Sequence, residues 1–62
     1  MAKFSKGDII TPKGDSKLFK VLGIEPEYSC SGMFVGYNYN LLEPSGNRTY
    51  YGCKFVDENF RK

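Results

Sequence analysis

The 62-residue chain reads as an all-β domain: a small, strongly bent five-stranded barrel with one C-terminal 3₁₀ turn. Three observations predict it. Seven glycines and three prolines punctuate short runs of β-branched and aromatic residues. No window holds a sustained 3.6-residue apolar period, so no helix of ordinary length is expected. Finally, the stretch Val35 to Phe55 specifies a hairpin whose register follows from its turn.

In that hairpin, Pro44 presets φ at the first corner of Glu43-Pro44-Ser45-Gly46-Asn47. Gly46 can adopt the positive φ that closes a type I turn with a bulge. Pairing Glu43 with Asn47 sets Leu41 opposite Thr49, Tyr39 opposite Tyr51, Tyr37 opposite Cys53 and Val35 opposite Phe55. The other face receives Leu42 with Arg48, Asn40 with Tyr50, Asn38 with Gly52 and Gly36 with Lys54. One face is apolar and the other mostly polar, and a one-residue slip would mix them. The register therefore sends Tyr37, Tyr39, Tyr51 and Cys53 inward.

The remaining elements follow in order. Phe4 folds over the core ahead of the turn Lys6-Gly7-Asp8. Asp8 to Thr11 is a first strand, stopped by Pro12, which has no amide proton. After the polar turn Lys13-Gly14-Asp15-Ser16, Lys17 to Glu25 is a second strand. Its faces (Phe19, Val21 and Gly23 against Leu18, Lys20, Leu22 and Ile24) are both mixed, which predicts a bulge or kink at Gly23. Pro26 ends this strand, and Glu27 to Gly32 is a loop. Met33 to Leu42 is the third strand and Arg48 to about Phe55 the fourth. A 3₁₀ turn over Val56 to Phe60 returns Phe60 to the core, and Arg61-Lys62 form a frayed tail or a last short strand.

Composition sets bounds on function. The formal charge is +2 with acids and bases interspersed, short of the dense basic stripe of a strong nucleic-acid binder. No run suits a membrane span or a signal peptide, and Met1-Ala2-Lys3 reads as a cytoplasmic start. Cys30 and Cys53, with no histidine in the chain, do not make a familiar zinc site and are read as reduced thiols. No cofactor is expected. About 60 residues form a single domain, 1–62, of marginal stability. Its ten Phe and Tyr residues offset the small size.

The opening Phe4-Ser5-Lys6-Gly7-Asp8-Ile9-Ile10 resembles the first strand of bacterial and phage SH3-like barrels. The ending Phe55-Val56-Asp57-Glu58-Asn59-Phe60 resembles the Phe-Pro-x-Asn-Tyr stretch of SH3 domains. The resemblance covers the two chain ends and implies the barrel, in a small bacterial or phage protein. It does not extend to Pro-x-x-Pro ligands, because the Ala-Leu-Tyr-Asp-Tyr segment and the ligand-packing Trp are absent.

Without histidine the usual general base near neutral pH is missing, and Glu27 near Cys30 opposes a thiolate there. The chain is therefore read as non-enzymatic. Two binding readings remain. Tyr28, Met33, Phe34 and Tyr50 lie outside the expected core and have the composition of interface centres. Together with a free sheet edge, they suggest a small cytoplasmic adaptor or inhibitor that binds a protein. Such a module would be a monomer or a weak homodimer through that edge. The alternative is a nucleic-acid-binding barrel resembling KOW-type modules, using Tyr50 flanked by Arg48 and Lys54, with Phe34. The plainer reading is that Tyr28 and Met33 plug one barrel end, and that Tyr50 covers Leu42 among solubilising charges.

Overall fold

The structure is a computed structural model that describes residues 2–62; Met1, the first residue of the start read above, lies outside the described residues. Five antiparallel strands form one sheet with a single short helix. They are β1 (Ile9–Pro12), β2 (Phe19–Tyr28), β3 (Phe34–Leu42), β4 (Arg48–Gly52) and β5 (Phe60–Arg61), with α1 (Cys53–Asn59) between the last two. The sheet order is β4-β3-β2-β1-β5, open between β4 and β5.

The hairpin register is as expected from Leu42↔Arg48 through Tyr39↔Tyr51 to Asn38↔Gly52. Glu43 and Asn47 close its turn (Glu43 N–H to Asn47 O, 2.8 Å), and Gly46 has φ +93°. Beyond Gly52 the expectation fails. β4 stops, and the pairs Tyr37–Cys53, Gly36–Lys54 and Val35–Phe55 do not form. Cys53 to Asn59 instead winds into seven residues of α-helix where a 3₁₀ turn was expected. Cys53 and Val56, three apart, share the helix face turned to the core, with Val56 fully buried, and Phe60 at the start of β5 follows them inward. Two turns are too short a window for that period to outweigh the alternation of Tyr51, Cys53 and Phe55.

β1 stops at Pro12 as expected, but β2 runs on through Pro26. Pro12 pairs with Phe60 of β5, and Pro26 pairs with Tyr37 of β3. Past Lys20, β2 has no β1 partner, so Pro26 lies on a free edge, where a missing amide proton is tolerated. The expected kink is real: the β2–β3 register shifts between Val21 and Gly23, leaving Leu22 as the extra residue. That bulge moves Ile24 from its expected face to the core face, opposite Tyr39.

The core comprises Phe4, Ile10, Val21, Tyr39, Leu41, Val56 and Phe60, with Phe19 and the half-buried Cys53 packed against it. Of the four groups expected inside, only Tyr39 is fully buried; Tyr37 and Tyr51 are exposed. The Tyr39 hydroxyl accepts from Phe4 N–H (3.0 Å) and donates to Asp57 Oδ1 (2.7 Å), which also accepts from Lys3 N–H (3.1 Å). One phenol thus ties the N-terminal segment, β3 and α1 together. Burial pushes its pKa from the ordinary 10.0 up to about 12, helped by the Asp57 carboxylate and opposed by the Phe4 N–H.

Replacing Tyr39 by Phe strands the Phe4 N–H and should cost about 1–3 kcal/mol in a urea melt. The wild-type phenol holds its proton more tightly folded than unfolded. Its stabilisation is therefore complete below pH 10.0 and is lost as pH rises through about 12. In an absorbance titration of the folded protein, one tyrosine should ionise near pH 12, and Tyr39→Phe should remove that step.

Candidate functional site

β2 and β3 outrun their neighbours. β1 reaches only Phe19 and Lys20 of β2, and β4 pairs only from Asn38 to Leu42 of β3. Ile24–Tyr28 and Phe34–Tyr37 therefore form a two-stranded ribbon that projects about 17 Å at ~3.4 Å per residue. It draws the molecule out to 38 × 22 × 18 Å, with a radius of gyration of 11.8 Å. A compact domain of this length would have about 10.6 Å.

The ribbon tip is the second copy of the Glu43–Asn47 turn. Ser29 N–H donates to Met33 O (2.8 Å), Gly32 N–H donates to Ser29 O (2.9 Å), and Gly32 has φ +86°. The Ser29 hydroxyl tightens it, accepting from Met33 N–H (3.2 Å) and contacting the Ser31 hydroxyl (2.8 Å). The segment read as a loop is thus a built hairpin turn, with Cys30 exposed at its apex. Ser31-Gly32 stands at the same offset as Ser45-Gly46, a cue present in the letters.

The aromatic residues follow from the pairing. Tyr28 opposes Phe34, and Pro26 opposes Tyr37. A second register shift leaves Val35 as an extra residue, so Phe34 and Tyr37, three apart, share a face. Their rings run edge to face in a row: Tyr28 to Phe34 at 5.9 Å and Phe34 to Tyr37 at 5.2 Å. All three are more than half exposed (60%, 53% and 56%), and Met33 beside them at the tip is 70% exposed. By alternation this row continues the face that carries Tyr39 and Leu41 into the core, with the partly exposed Ile24 opposite Tyr39. At its base, Ala2, Ile24, Tyr37 and Cys53 line a hollow of about 480 Å³. Burial, and then the Asp57 carboxylate, raise the pKa of the Cys53 thiol.

The six candidate residues therefore divide. Tyr28, Met33 and Phe34 come together at the ribbon tip. Arg48 and Tyr50 lie on the opposite face of the sheet, across from Leu42 and Asn40. Lys54 belongs to α1 and not to that face, so the expected flanking of Tyr50 by two bases is not realised. Lys20, which pairs with Leu42 beside Arg48, supplies a base there that the letters did not single out. Tyr37 and Ile24 were also missed, because alternation assigned Tyr37 to the core and the bulge at Leu22 was needed to place Ile24. A separate aromatic group, Tyr51, Phe55 and Phe60 with Phe19, joins α1 to the sheet (centroids 5.4–6.5 Å).

Among the described residues, no group of three His, Cys, Asp or Glu side chains is placed to hold a metal. Likewise, no helix there is long and apolar enough to cross a membrane. No family model matches the chain, and no match was found among curated proteins or solved structures.

Two outcomes test this geometry. Phe34→Ser should cost about 1–3 kcal/mol, the worth of its two edge-to-face contacts. Leu41→Ala should cost about 2–5 kcal/mol; paired urea melts decide. Cys30 should react with a thiol reagent at least about tenfold faster than Cys53, whose burial and raised pKa both protect it. Single-cysteine variants separate the two rates.

Proposed function

We propose that the chain is a non-enzymatic, SH3-like module that binds a protein through the aromatic face of the β2–β3 ribbon. The observation that carries this is the row Tyr28, Phe34 and Tyr37, packed edge to face and more than half exposed on a paired ribbon that projects beyond β1 and β4. A small domain under pressure to hide apolar surface keeps three adjacent rings exposed where they serve as anchors. The SH3-like reading is supported by five strands with a short helical segment before the last, in the stretch Phe55 to Phe60 that suggested it. A non-enzymatic role fits a chain with no histidine. A reducing compartment, the cytoplasm, fits two free thiols.

Of the two binding routes, the aromatic face is favoured over the edge. The free edge of β2 carries Glu25-Pro26-Glu27, the composition that discourages strand addition. This favours a monomer over a homodimer paired along that edge. Nucleic acid would use the other face, where Lys20, Arg48 and Tyr50 give a sparse set of contacts.

The test is a pull-down from nuclease-treated lysate with wild-type chain and with Tyr28→Ser/Phe34→Ser as baits. Proteins retained by wild type and weakened about 30-fold or more by the variant support the reading. Partners that vanish with nuclease, or fall steeply with salt and with Arg48→Ala, support nucleic acid instead.

A further inference from the structure

We infer that the ribbon face accepts a short apolar segment of another protein flanked by Lys or Arg. This rests on the protein-binding reading above and names the chemistry of the partner. All nine basic residues of the chain lie outside Val21–Asn47, whereas Glu25, Glu27 and Glu43 lie within it. A chain with net charge +2 thus presents its exposed aromatics on an acidic arm.

Glu25 and Glu27 are exposed and alternate with Ile24, Pro26 and Tyr28, so they project from the reverse side of the same strand. β2 is a free edge past Lys20, so a base flanking the docked segment reaches these carboxylates around that edge. Glu27 pairs with Gly36, which offers it no side-chain cover. No ion pair occupies either acid among the described residues, where the one salt bridge is Lys62 to Asp8 at 3.4 Å. An incoming base would therefore meet a carboxylate that is available.

The same facts disfavour the other occupants. Nucleic acid and anionic lipid are repelled by a segment with acids and no base. A second copy docked ribbon to ribbon would juxtapose like charges. The three half-exposed rings and Met33 offer roughly 400 Å², against about 800 Å² per partner in a standard interface. A face of that size suits a short segment with one or two apolar anchors, and the hollow lined by Ile24, Tyr37 and Cys53 lies at its base. Rings supply the affinity, and the carboxylates supply orientation and encounter rate.

The experiment is selection of a displayed random peptide library on the immobilised full-length chain, followed by affinity measurement of the enriched peptides. Enriched sequences should place Lys or Arg beside aliphatic or aromatic residues. Their affinity should drop about 30-fold with Tyr28→Ser/Phe34→Ser and about tenfold with Glu25→Lys/Glu27→Lys. Both variants should keep the wild-type circular dichroism. Acidic or neutral winners that need the rings but ignore the charge reversal overturn the basic-partner inference and leave protein binding by the ribbon standing. Winners indifferent to the rings, or no winners, overturn both. Self-association abolished by Phe34→Ser makes the occupant a second copy, and wild-type binding to anionic vesicles makes it a membrane; either result overturns the inference.

Discussion

The Tyr39 hydroxyl is the constraint on which the fold depends. Its partners are far away in sequence: Phe4 by 35 residues and Asp57 by 18, while Asp57 closes the circuit to Lys3 across 54. Each link holds an element with little local reason to stay. The segment before β1 has no regular structure, and α1 has no side-chain cap at its N-terminus and no basic residue in its last turn. A seven-residue helix is too short to persist alone. Buried beside the Phe4 ring (6.0 Å), the phenol gives both segments a polar partner inside an apolar layer. An unmade hydrogen bond is costly in such a layer. Phe4 and Val56 can then complete a core of seven buried apolar residues among those described.

The helix covers little of the sheet. Seven residues of α-helix extend about 10 Å, whereas the nine residues of β3 extend about 31 Å. Val21 with Leu41 and Ile24 with Tyr39 lie at the covered end; Pro26 with Tyr37 and Tyr28 with Phe34 lie beyond it. The exposed aromatics are thus the outer part of a single apolar face. This is why alternation in the sequence could not tell core from surface on β3. It identifies which residues share a side of a sheet, but the extent of the cover is set by the length of an element elsewhere in the chain.

Other features divide along the same line between local and non-local causes. The Glu43–Asn47 turn and the register back to Asn38↔Gly52 were legible because turn geometry and face pattern act over neighbouring residues. The Ser29–Met33 turn obeys the same local rule and was equally available. The change from strand to helix at Cys53 was not legible. Its reason is that Val56 and Asp57 reach the core and the Tyr39 hydroxyl only in a helical path. Pro26 was misread for a related reason: a proline ends a strand with neighbours on both sides, and only the lengths of β1 and β4 reveal that β2 is free there. Of the candidate site, three residues at the tip were recognised from composition, and Tyr37 was lost to the core by the alternation that placed Tyr39 correctly.

The ribbon tip stands apart from the residues that hold the fold together. Tyr28, Met33 and Phe34 contribute to no buried cluster, and the seven core residues contribute nothing to the exposed face. A ring at the tip can therefore change without disturbing the core. The cost of such an arm is its two exposed edges and its exposed rings, both hazards for aggregation. Glu25, Pro26 and Glu27 occupy the β2 edge, where their composition discourages strand addition; the β3 edge over Phe34 to Tyr37 carries no charge. If the ribbon binds as proposed, the same two acids would both oppose pairing with a second arm and favour a basic partner.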